Sequence, residues 1–323
     1  MRRWVDVRRW LAVAALGALA FACQSNPPVP PVDHSGTAGV PEARTDPSSA
    51  NDPANGTVVM FGGATRSGVL DETWTWDGSV WRRQHPATSP SPREFAYMAY
   101  DPATSRVILF GGFYCAPPSP TEPTGCDYQE ATATLHDTWS WDGRDWTQVH
   151  TTHAPAVQHF RGDSGAMDAD TGHGELLLLT WPTVSQASSV ETWRFHGDDW
   201  QLLAPAHSVA ASEFSGPAYD AVSKRLIVQQ IGFRGATYWW DGSDWHVFDL
   251  SVKTPPMYGR LLSTGRHGLL LIASDNSAAW NGRSWGDVMA LPPSFKAPAL
   301  RYRAGWTTSY HEPTQTTRVV RRS

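Results

Sequence analysis

Residues 58–81 read VVMFGGATRSGVLDETWTWDGSVW, and residues 107–146 repeat the ends of that unit, VILFGG and HDTWSWDGRDW, around an insertion. Self-similarity on this scale confines a chain to architectures assembled from copies of one supersecondary unit. An apolar run closed by Gly62-Gly63 predicts a buried strand followed by a turn at positive φ, where a Cβ would clash. In Thr73-Trp74-Thr75-Trp76 β-branched and aromatic residues alternate, which suits a pleated surface with both indoles on one face. Asp77-Gly78 is hairpin chemistry, and Trp81 opens the returning strand. Residues 93–101, REFAYMAYD, lead into the second copy and supply a fourth strand.

Four antiparallel strands per copy predict the blade of a β-propeller, an all-β fold. The copies are indexed by their hairpins, WDGSVW, WDGRDW, FHGDDW, WDGSDW and WNGRSW, which end at Trp81, Trp146, Trp200, Trp245 and Trp285 with steps of 65, 54, 45 and 40 residues. These hairpins and the glycine pairs Gly62-Gly63 and Gly111-Gly112 resemble the kelch repeat, in the superfamily that includes the central domain of galactose oxidase. The resemblance runs from about Asn51 to the C-terminus and implies about five four-stranded blades. It weakens along the chain, since Thr180-Trp181, Gln229-Gln230 and Ala273-Ser274 stand where later blades need the glycine pair.

Ahead of the repeats, residues 1–22 carry four arginines and then an apolar, small-residue run too short to span a bilayer, the pattern of a secretory signal peptide. The run ends Leu-Ala-Phe-Ala-Cys23, which resembles the lipobox of bacterial lipoproteins and implies acylation of Cys23, although Ala20 replaces the usual leucine. Residues 23–50, rich in Pro, Ser, Thr and Ala, read as a disordered tether. Removing residues 1–22 takes four of 26 basic and one of 31 acidic side chains, so the net charge goes from −5 to −8. That balance argues against nucleic acid as a partner and leaves the lipid as the membrane contact. The expected location is the bacterial cell envelope, outer membrane or surface, with the propeller at 51–323 a monomer.

Cys115 and Cys126 share a proline-rich insertion; outside the cytosol they are expected as a disulfide, the alternative being two free thiols. Closure is expected at the ends of the chain. The first blade shows no apolar strand before Asn51, and residues 303–310 align with 93–100, so a C-terminal strand would complete the N-terminal blade and remove two sheet edges. The alternative is a sixth, truncated blade, since Arg318-Val319-Val320 resembles the start of another second strand.

Strand order puts the long connectors on one face, the expected binding face. Arg93, Arg161 and Arg303 recur there and could grip a carboxylate or an acidic sugar, with Glu94 and Glu213 as the further candidate ligand-binding residues, the bases of an epimerase. Equally, each arginine could pair with a carboxylate of its own blade. No catalytic set, metal spacing or cofactor motif is assigned: the histidines show neither HxH nor HExxH, and the hairpins depart from the sialidase turn spacing. The expected function is a non-catalytic protein- or ligand-binding module. The alternative is a carbohydrate-active propeller, an acidic-sugar binder, epimerase or glycosidase, using the arginine-lined mouth.

Overall fold

The computed structural model describes residues 36–114, 134–157, 165–181, 190–210, 214–230, 235–248, 260–263, 268–272, 276–290, 306–311 and 316–321. Among them there is no helix. The strands are β1 Thr37–Gly39, β2 Arg44–Thr45, β3 Ser48–Asp52, β4 Thr57–Phe61, β5 Ala64–Thr65, β6 Gly68–Val69, β7 Thr73–Trp76 and β8 Trp81–Gln84. Next come β9 Tyr97–Asp101, β10 Arg106–Phe113, β11 Thr134–Trp141 and β12 Trp146–Val149, then β13 Gly165–Asp170, β14 Glu175–Thr180, β15 Glu191–His196 and β16 Asp199–Leu203. The chain continues through β17 Phe214–Asp220, β18 Arg225–Gln230, β19 Thr237–Trp240 and β20 Trp245–Val247 to β21 Arg260–Ser263, β22 Leu269–Ile272, β23 Asn276–Trp280 and β24 Met289–Ala290. Two C-terminal strands follow, β25 Trp306–His311 and β26 Thr316–Arg321.

Sheets two to five are four-stranded antiparallel meanders in sequence order, and the first is the same meander, β3-β4-β7-β8, with β1 added outside β8. Their first strands neighbour one another in succession, β3 to β9 to β13 to β17 to β21, so the arrangement is propeller-like.

Side-chain alternation explains why the sheets stack. On a strand, successive residues face opposite sides, and a strand buried on both sides reads as an unbroken apolar run. Val107 and Leu109 enter the layer shared with the first sheet, while Ile108 and Phe110 enter the layer shared with the third. Leu176 and Leu178 face back to the second sheet, and Leu177 and Leu179 face forward to the fourth. The hairpin pairs Trp141–Trp146, Trp240–Trp245 and Trp280–Trp285, with rings 5.2–5.3 Å apart, are buried in these layers. In the first sheet the matching pair, Trp76 and Trp81, is only half-buried.

Three expectations are corrected. The first sheet needs no strand from the C-terminus, because β3 is its own first strand, in register from Ser48 opposite Phe61 to Asp52 opposite Thr57. Its small polar residues lack an apolar signature, yet Ser48 Oγ donates to the Ala96 carbonyl at 2.7 Å and ties β3 to the second sheet. The expected closing strand at 303–310 is displaced: β25 pairs with β26 and β2, Tyr310 opposite Arg44, within a separate sheet ordered β26-β25-β2-β5-β6. The expected tether at 23–50 is in part ordered, since β1, β2 and most of β3 lie in it and β1 adds to the edge of β8 with Gly39 opposite Trp81. Composition concealed this because backbone pairing, with few apolar side chains, holds these segments. Cys23, Cys115, Cys126, Arg161, Glu213 and Arg303 lie outside the described residues.

Candidate functional site

Antiparallel order puts the links from second to third strand, and from fourth strand to the next sheet, at one end. The opposite end carries short turns: 102–105, 171–174 and 221–224 between first and second strands, and the hairpins 77–80, 142–145, 197–198, 241–244 and 281–284. Those turns are repetitive because all but 197–198 are built on an Asx side chain. Asp77 Oδ1, Asp142 Oδ1, Asp241 Oδ1 and Asn281 Oδ1 each accept the amide hydrogens of the residues two and three ahead. Asp101 and Asp220 perform the same service for the turns between first and second strands and are buried doing it. The other end is uneven, with links at 85–96, 114–133, 150–164 and 204–213.

Arg93 is central to this end, and its surroundings settle what it can do. Its side chain is 0% exposed. A guanidinium has five N–H donors. All five are used: Nε to Ser91 O at 3.0 Å, Nη1 to Gly111 O at 2.9 Å and Asp137 Oδ1 at 2.6 Å, and Nη2 to Ser91 Oγ at 3.0 Å and Asp137 Oδ2 at 2.9 Å. The expectation of a ligand-gripping arginine is therefore corrected at Arg93, which has no donor left over. Its partner is Asp137 on β11, not the neighbouring Glu94, which is buried and bridges Phe113 through its backbone. Burial opposes ionisation of Asp137, but the Arg93 guanidinium outweighs it and holds the carboxyl below its usual range.

Arg44, on β2, repeats this arrangement against the first sheet. It donates to Gly62 O at 3.2 Å and to Glu72 Oε2 at 2.7 Å, eight residues before Asp52 as Arg93 is eight before Asp101. Each acid also accepts an indole N–H two residues on: Trp74 on Glu72 at 3.0 Å, Trp139 on Asp137 at 2.7 Å and, in the third sheet, Trp193 on Glu191 at 3.0 Å. The acid-Thr-Trp triplet was visible in the repeats, and Arg44 was missed because its surroundings read as linker.

The threonine of that triplet has its own task. Trp146 Nε1 donates to Thr73 Oγ1, Trp200 Nε1 to Thr138 Oγ1 and Trp245 Nε1 to Thr192 Oγ1, each at 2.9 Å, so the tryptophan that closes each of these hairpins reaches back to the preceding sheet. Trp285 Nε1 shares its proton between Thr237 Oγ1 at 3.0 Å and Gln229 Oε1 at 2.9 Å. Segments leaving the fourth strands first clasp forward onto the hairpins of the next sheets: Ala87 N donates to Asp145, His153 to Asp199 through backbone and ring, and His207 to Asp244 in the same way. The His153 amide and ring hold the Asp199 carboxyl down at about 2. These histidines, which sequence places in the loops, act as links between sheets.

Among the described residues no group of three or more His, Cys, Asp or Glu is arranged to hold a metal ion, and no helix is long and apolar enough to cross a membrane. The site is thus an end of irregular connectors on a scaffold whose polar side chains are largely engaged in holding the sheets together. No protein-family model matches the chain, and no curated protein matches it. The fold defines the class as an all-β, propeller-like protein of four-stranded sheets.

Proposed function

We propose that this chain is a kelch-like propeller displayed on the bacterial cell envelope by an acyl anchor at Cys23, acting as a non-catalytic binding module whose partner seats on the end with the long connectors. The observation that carries this reading is the contrast between the two ends: short Asx-capped turns on one, connectors of unequal length on the other. A scaffold that repeats faithfully where it packs and varies where its loops gather is built to present those loops. The Cys115–Cys126 bridge would stiffen the longest connector, and a stiff loop loses less entropy on docking. Six ring places suit the chain better than five, because the first sheet has its own four strands, the sheet with β25 and β26 is a sixth, and the half-buried Trp76 and Trp81 mark the face a sixth neighbour would cover.

The test is a pull-down from envelope extracts with the chain from Gln24 onward, beside a variant in which residues 115–131 are replaced by a short Gly-Ser link. A protein retained by the first and lost with the second, at unchanged circular dichroism, is the expected result. Equal retention by both removes this end as the docking site. Binding to acidic sugars on a glycan array, with no protein retained, moves the assignment to the carbohydrate-active class. Fatty-acid labelling abolished by Cys23→Ala checks the anchor separately.

A further inference from the structure

The first strands of the sheets share one register position. In the first, second and fourth sheets its residue faces the following sheet, as Ala50 opposite Val59, Ala99 opposite Ile108 and Ala218 opposite Ile227, and in the fifth it is the exposed Leu262 opposite Leu270. Ala99 and Ala218 accordingly lie in the apolar layers against the third and fifth sheets. In the third sheet the residue is Asp168, opposite Leu177. An acid at a place otherwise given to alanine or leucine needs a partner, and it has two. Oδ1 accepts the amide of its neighbour Ala169 at 2.8 Å, and Oδ2 accepts the amide of Tyr219 at 3.1 Å, on β17 of the next sheet. The carboxylate thus spans the junction between two adjacent first strands.

We propose that Asp168 is a proton-sensitive latch between the third and fourth sheets, gripping the Tyr219 amide when ionised and loosening it when protonated. A hydrogen bond to a carboxylate is shorter and stronger than one to a neutral acid, so the charge state sets the strength of the tie. The titratable or charged groups on the strands around β13 are Tyr97, Tyr100, Asp101 and Arg106 on β9 and β10, Glu175 on β14, Tyr219 and Asp220 on β17, Arg225 on β18, and Asp170 on β13 itself. Of these, Asp170 acts on Asp168, and it repels. Burial first, and Asp170 after it, push the carboxyl up to about 6 against the pull of the two amides.

Two trends of opposite sign follow. Because the folded carboxyl titrates above its unfolded range, the stability it contributes is full below that range and is surrendered as pH rises through about 6. Over the same interval the Tyr219 bond tightens. The experiment is a pH titration of the full chain by NMR, reading the Tyr219 amide proton, with urea unfolding in parallel. The expected result is a downfield shift of Tyr219 with a midpoint near pH 6, absent in Asp168→Asn, and a urea midpoint that falls with rising pH in the wild type and falls less in the variant, where Asp52, also raised by burial, still contributes. Asp168→Ala, which restores the residue of the first, second and fourth sheets, serves if the asparagine variant does not fold. A Tyr219 resonance that stays still between pH 4 and 8, or titrates alike in the variant, overturns the proposal.

Discussion

Arg93 and Arg44 occupy equivalent places, and each spends its guanidinium on a carboxylate two residues ahead of a tryptophan. Removing one partner of a buried pair leaves the other charge uncompensated and costs roughly 3–5 kcal/mol. Arg93→Ala is expected near the low end, about 3 kcal/mol by urea unfolding, because 25% of the Asp137 side chain reaches solvent. Arg93→Lys should recover less than half of that loss, since an ammonium cannot span Gly111 O, Ser91 and both oxygens of Asp137. The carboxyls of Asp137 and Glu72 titrate below their usual ranges, so the stability they add is present above the unfolded carboxylate range and is lost as pH falls through their folded values. Acid unfolding followed by tryptophan fluorescence should therefore begin at higher pH in Arg93→Ala than in the wild type. At this scale the sequence marked Arg93 as special and offered an internal pairing as one of its two fates; only the fold could nominate Asp137, which lies 44 residues on, beyond the insertion.

At the scale of the element, the joints between sheets are hydrogen bonds from hairpin tryptophans to threonines of the preceding sheet. Burying an indole N–H without an acceptor costs about 1–3 kcal/mol. Thr192→Val strands Trp245 and is expected to cost that much in chemical denaturation, whereas Thr237→Val should cost distinctly less, because Gln229 still accepts from Trp285. Equal losses would show that the threonines act through packing alone. The glycine pair is explained at the same scale. Gly62 sits at φ +67, and a Cβ there would run into the Arg93 carbonyl of the next sheet, whose oxygen accepts the Gly63 amide at 2.9 Å. Gly62→Ala is expected to lower the melting temperature by both routes, strain and the opened joint. The third and fourth strands of the first sheet, β7 at Thr73–Trp76 and β8 from Trp81, followed closely from alternation and turn residues. β3 did not, because Ser, Ala, Asn and Asp advertise neither a period nor a core.

For the whole molecule, the informative question is where the folded chain begins. A fragment from Asn51 discards β1, β2 and most of β3, leaving β4 without its first-strand partner and exposing the sheet to its neighbour. Such a fragment is expected to melt well below one that begins at Gly36, or to aggregate through the bared edge, as measured by circular dichroism and light scattering. Identical melting of the two would mean that β3 contributes nothing to the fold. By itself the sequence determined the all-β class, the four-stranded unit and its hairpins, because strand periodicity and turn chemistry are local properties of residues a few places apart. The tertiary structure alone decided which strands complete the first sheet, where the C-terminal hairpin pairs, and that the arginine is held within the scaffold. β3 pairs close by with β4 but through small polar residues that carry no pattern, and the other outcomes depend on backbone pairing and ion pairing between residues tens to hundreds of places apart, for which neither spacing nor hydrophobic pattern carries a signal.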